Sequence, residues 1–116
     1  MIVVPRLNYR EVYMNLLDLG YTDKRPLDIE DAHIIFTVKE HTTDDEEMVR
    51  IKKDNLGTGV EILNNNGEIV LILTAGDMSL PASDYQYDIF VIKDDRVYSS
   101  EPDIFRVTPT VLGRLP

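Results

Sequence analysis

The stretch Ala32-His33-Ile34-Ile35-Phe36-Thr37-Val38-Lys39 decides the architecture. Ala32, Ile34, Phe36 and Val38 point one way, while His33, Ile35, Thr37 and Lys39 point the other. A period of two is that of a strand with one face buried, because successive side chains leave a pleated backbone on opposite sides. The same period returns at Tyr85 to Lys93, where Tyr85, Tyr87, Ile89 and Val91 share one face and Gln86, Asp88, Phe90 and Ile92 the other.

Outward from these two segments the chain continues in short pieces divided by turn signals. Val60 to Leu63 and Glu68 to Thr74 read as a hairpin, since Asn64-Asn65-Asn66-Gly67 between them tolerates positive φ. Asp94-Asp95 turns the chain into a strand from Arg96 to Ser99, and after Glu101-Pro102 another runs from Asp103 to Val107 until Thr108-Pro109. Glu11 to Leu17 fits a strand or a helix, since Val12, Met14 and Leu16 alternate but Leu17 and Leu19 blur the pattern, and it is read as a strand. Met48 to Lys53 is a further short candidate, and Tyr21 to Asp31 a proline-containing connection. Neither has helical length with helical period. About seven short strands separated by turns predict an all-β domain, a sandwich or small barrel, best matched by an immunoglobulin-like β-sandwich.

With 116 residues, 43% of them hydrophobic and 28% charged, the chain suits one globular domain over 1–116, with 110–116 expected as a loose tail. A formal net charge of −9 argues against polyanionic partners, so neither nucleic acid nor an anionic membrane is expected. The densest basic group, Arg50, Lys52 and Lys53, stands beside the acidic run Asp44-Asp45-Glu46-Glu47 and makes no basic groove. The lack of cysteine rules out disulfides, thiolate metal sites and a cysteine nucleophile. Met1 to Arg6 lacks the basic lead and long apolar run of a signal peptide, and no segment has the length of a membrane-spanning helix. A soluble protein is expected.

The residue types that carry chemistry do not assemble into a catalytic motif. His33 and His41 are the two imidazoles, one in a strand and one opening a polar loop. The run Asp44 to Glu47 gathers hard oxygen ligands, but its spacing is not that of an EF-hand loop and it lacks that loop's glycine. It reads as a solvated acidic loop. Gly57-Thr58-Gly59 has no following Lys-Ser or Lys-Thr pair and so no phosphate-cradling geometry. Ser79, Ser83, Ser99 and Ser100 lack the glycines of a nucleophile elbow. No enzyme, cofactor or metal is expected.

The aromatic residues are more informative, because six tyrosines outnumber three phenylalanines and there is no tryptophan. Tyrosine suits places where one end is buried and the other wet, including interfaces and sugar sites. Leu80-Pro81-Ala82-Ser83-Asp84-Tyr85-Gln86-Tyr87 has the form of the approach to strand F of an immunoglobulin-like domain. Tyr85 would be the corner tyrosine there, and Tyr87 stands where a disulfide-bonded domain has cysteine.

Several of these segments together resemble a family. Pro26-Leu27-Asp28-Ile29 before Ala32 to Lys39, Gly67-Glu68-Ile69-Val70-Leu71, Leu80-Pro81 before Tyr85-Gln86-Tyr87-Asp88-Ile89, and Asp103 to Pro109 are similar to phage immunoglobulin-like structural proteins. The likeness is to the N-terminal domain of siphophage baseplate upper proteins and covers most of the chain. Leu80 to Val91 is its most specific part. Two stretches depart from the pattern: Met1 to Leu19, and Asp94-Asp95-Arg96 where a glycine is expected. The resemblance implies a virion protein of the tail, baseplate or connector region that binds other virion subunits, itself in symmetric copies included, and it transfers no catalytic residue.

Ile2 and Val4 near the start and Val111 and Leu112 near the end are apolar enough to serve as assembly contacts. The alternative is a carbohydrate-binding host-recognition module that presents tyrosines on one surface, with Tyr9, Tyr13 and Tyr98 as candidates.

Overall fold

A computed structural model describes residues 1–16, 28–41, 48–64, 66–100 and 102–109. Among these the chain forms strands and no α-helix. In chain order they are β1 (Ile2–Pro5), β2 (Arg10–Asn15), β3 (His33–Lys39), β4 (Ile51–Asp54), β5 (Val60–Ile62), β6 (Glu68–Leu73), β7 (Ser83–Lys93), β8 (Arg96–Ser99) and β9 (Asp103–Thr108). They make two sheets. The larger has the order β1-β9-β7-β3-β4 with β8 also on β7, and the smaller has the order β2-β6-β5.

The long strand β7 is the spine of the larger sheet. One side pairs with β3, from His33 opposite Ile92 to Lys39 opposite Gln86. Its other side is shared: β9 takes Ser83 to Tyr87 and β8 takes Phe90 to Lys93. Ser100 spans the break, donating its N–H to the Ile89 carbonyl at 3.0 Å and accepting the Ile89 N–H on its hydroxyl at 2.9 Å. The β7–β8 turn places Asp94 at φ 54°, a conformation that Asp tolerates better than most residues and that explains the glycine expected nearby.

One apolar cluster joins the two sheets. The face expected to be buried on β3 supplies Ile34, Phe36 and Val38, and that of β7 supplies Tyr85, Tyr87, Ile89 and Val91, all buried. Phe36 lies at its centre, with ring centroids 5.5 Å from Tyr87 and 6.1 Å from Phe105. Full burial of a side chain of this size stabilises by about 1.5–3 kcal/mol. From the smaller sheet come Val60, Ile69, Leu71 and Leu73, joined by Met78 and Ile29 from connections.

At the β4–β5 side the sheets are tied by polar contacts. Lys53 turns inward and meets Asp77 at 2.6 Å, and its stem fills the space beside Gly59, whose φ of 100° and missing Cβ make room for it. Asn55 caps the open end of β4 with its side chain, accepting the Ile34 N–H at 2.7 Å and donating to the Ala32 carbonyl at 2.8 Å.

The expected strands are found within a few residues of their anticipated limits, and Met48 to Lys53 becomes β4. The N-terminal segment needs a correction. Ile2 and Val4, expected as assembly contacts, are 7% and 1% exposed, because β1 lies parallel to β9 and turns both side chains into the core. Val3, between them, is the exposed one. The acidic run Asp44 to Glu47, Val111, Leu112 and most of the Tyr21 to Asp31 connection lie outside the described residues.

Candidate functional site

The strand register brings outward side chains into rows on the larger sheet. Val97, Ile92 and His33 make one row across β8, β7 and β3; Ser99, Phe90, Ile35 and Asp54 make the next. Val97 is 65% exposed and Ile92 36%, while Phe90 and Ile35 are half-buried. A contiguous apolar patch therefore occupies one end of this face, and apolar surface gathered in this way is characteristic of contact surfaces. Its border is polar. Thr37 donates to Asp88 at 2.5 Å in the following row, and toward the far end Arg106 grips Asp84 in a two-pronged pair at 2.7 and 3.0 Å. The guanidinium holds the Asp84 carboxyl below its ordinary range.

His33 lies at the patch margin with Nε2 buried, lacking a hydrogen-bond partner and 3.7 Å from Asp54 Oδ2. That distance is too long for a hydrogen bond. Asp54 is engaged elsewhere, accepting the Gly57 N–H. Among the described residues, no group of three or more His, Asp or Glu side chains is placed to hold a metal ion.

The smaller sheet presents a different outer face. Tyr13 projects from β2 and is 68% exposed, and Tyr9 stands beside it in contact with Glu11 and near Glu61. Partial desolvation, followed by the Glu11 carboxylate, raises the Tyr9 phenol above its ordinary range. Tyr98, the third tyrosine of the sugar-platform expectation, is on the other sheet and packs half-buried against the core opposite Val91. The three do not share a surface. Below Tyr13 an open cleft of about 320 Å³ is lined by Met14, Asn15, Leu63, Glu68 and Ile69.

Tyr85 is buried with its hydroxyl donating to the Pro81 carbonyl at 2.7 Å, four residues upstream. Burial raises its phenol. The contact ties the start of β7 to the loop before it. Asp77 faces opposed influences: burial pushes its carboxyl up, while hydrogen bonds from Lys53 and Thr74 outweigh this and hold it below the ordinary range.

Sequence reasoning located most of the outward apolar residues but not their grouping, since Val97 joins Ile92 only through the β7–β8 register. No family profile, curated protein or solved structure matches the chain.

Proposed function

We propose that the chain is an immunoglobulin-like sandwich serving as a non-catalytic structural protein of a phage virion, in the tail, baseplate or connector region. Its fold reading is supported by strand order. With β2, β6 and β5 as strands B, E and D, and β9, β7, β3 and β4 as G, F, C and C′, the two sheets divide as in a variable-type domain. The hydrogen bond from Tyr85 to the Pro81 carbonyl supports the corner-tyrosine assignment in the same Leu80 to Val91 tract that resembles the phage family.

Protein contact is the mode of action, and the observation that carries it is the apolar patch of Val97 and Ile92 in one cross-strand row and Phe90 and Ile35 in the next. Other virion subunits, further copies of the chain included, would cover it, while Val111 and Leu112 remain candidate contacts from the terminal segment. The test has two arms. Mass spectrometry of purified particles of the source phage should find the protein at stoichiometric level, and Ile92→Asp should exclude it without lowering its thermal stability. Absence from particles would end the virion reading.

A carbohydrate-binding module is the second reading, favoured by the exposed pair Tyr9 and Tyr13. It predicts binding to host cell-wall polysaccharide that is lost in Tyr13→Ala.

A further inference from the structure

We infer that the open edge of β2 is an acceptor site for an extended segment of another protein in which apolar residues alternate with Lys or Arg. This rests on the reading above that the chain works through protein contacts, and adds the edge and the chemistry of the partner.

The ladder identifies which backbone groups face outward. Leu16 donates its N–H to the Gly67 carbonyl at 2.6 Å, in the same register that sets Arg10 opposite Leu73 and Met14 opposite Ile69. Hydrogen-bonded pairs alternate along an antiparallel ladder, so Arg10, Val12, Met14 and Leu16 bond to β6 while the N–H and C=O groups of Glu11, Tyr13 and Asn15 point away from the sheet. Among the described residues no strand pairs with that edge. On the opposite side of the sheet, Ile72 donates to Gly59 and Leu63 to Glu68, so β6 is satisfied on both flanks.

Side chains specify the occupant. Beneath the edge, Val12, Met14 and Leu16 point into the sandwich yet are only half-buried, whereas Ile69, Leu71 and Leu73 on the neighbouring strand are at 2% exposure or less. One more strand with apolar inward side chains would seal that side of the core. Above the edge, the outward positions are Glu11, Tyr13 and Asn15 on β2, Glu68, Val70 and Ile72 on β6, and Glu61 on β5. None is basic, and Tyr9 joins them. An incoming Lys or Arg at an outward position would meet Glu11 as a cross-strand pair and the Tyr13 ring as a cation–π partner. A second copy offering its own β2 would set these acidic faces side by side, so a basic segment of a different protein fits better.

The experiment titrates the isotope-labelled protein with a synthetic peptide alternating valine and lysine, and separately with its valine–glutamate counterpart, following amide signals and hydrogen exchange. The valine–lysine peptide should bind, slow exchange at Glu11, Tyr13 and Asn15, and leave the β4 and β1 edges unchanged; the valine–glutamate peptide should not bind. Tyr13→Pro removes an outward N–H without touching the β6 ladder and should abolish binding. Should that variant fail to fold, the surface pair Glu11→Lys with Glu61→Lys keeps the test decisive, since it should weaken binding of the valine–lysine peptide about tenfold. Equal binding of both peptides, binding at another edge, protection of those three amides in the free protein, or a dimer formed through β2 would each overturn the site. Peptide binding at β2 by a protein absent from virions would sink the virion reading and leave the site standing; a virion protein whose β2 ignores the peptide would do the reverse.

Discussion

β3 and β2 carry the same kind of alternating apolar pattern, yet Ile34, Phe36 and Val38 of β3 are exposed by 1% or less while Val12, Met14 and Leu16 of β2 are half-buried. The difference comes from neighbours. β3 lies between β7 and β4, and the smaller sheet covers its inner face, whereas β2 has β6 on one side and, among the described residues, no strand on the other. Alternation therefore tells which face of a strand turns inward, and the number of flanking strands tells how completely that face leaves water. Among the described residues, the larger sheet covers the inward side chains of β3 fully, whereas the β2 side of the smaller sheet leaves its own only half-covered.

The contrast is broken most forcefully in the core. Phe36→Ala should cost about 3–5 kcal/mol in a urea titration, whereas Met14→Ala should cost only about 1 kcal/mol because the side chain is already part-way in water. Comparable losses at the two positions would mean that β2 is as sealed as β3. Next comes the polar tie between the sheets. Asp77→Asn should remove about 2 kcal/mol, since the carboxylate accepts from Lys53 and Thr74 in a largely covered position.

That substitution also has a pH signature. The Asp77 carboxyl is held below its ordinary value in the folded chain, so its contribution is complete above the unfolded value near 3.9 and is lost as pH falls through the lower folded value. Asp28, Asp84 and Asp103, also held low, act in the same direction. The urea midpoint should therefore drop as pH is lowered below about 4, and drop less steeply in Asp77→Asn.

Tyr85→Phe is expected to cost about 1 kcal/mol by releasing the Pro81 carbonyl, and it should loosen the start of β7 locally, visible as faster amide exchange there. The smallest effect lies outside the core: Val97→Ser should change stability by less than about 0.5 kcal/mol, because the side chain is mostly in water. If the outer patch of the larger sheet is a contact surface, the same variant should still lower the associated fraction in light scattering across a concentration series.

Much of the larger sheet was legible in the residues themselves. The limits of β3 and the inward set Tyr85, Tyr87, Ile89 and Val91 follow from period two, because each strand shows water on one side and core on the other. Ile2–Pro5 was not legible as a strand, since four residues carry too little pattern and its partner β9 lies at the far end of the sequence. Lys53 misleads any reading by polarity, for a lysine at an inward position makes sense only once Asp77 and the gap at Gly59 are in place. Ser100 likewise looks like a turn residue, and its role in bridging β8 and β9 appears only beside Ile89. For the candidate surfaces, Ile35, Phe90 and Ile92 were identifiable as facing away from the core, but their union with Val97 depends on register between separate segments.

The residues alone carried the all-β class, the buried faces of the longer strands and the net acidic charge, because periodicity and charge are local or additive properties of the chain. It took the tertiary structure to show that Ile2 and Val4 belong to the core, that four apolar side chains meet on one outer face and that, among the described residues, no strand flanks the outer edge of β2. Those outcomes depend on which distant strands pair and in what register, and pairing is a property of the whole chain that no single segment encodes.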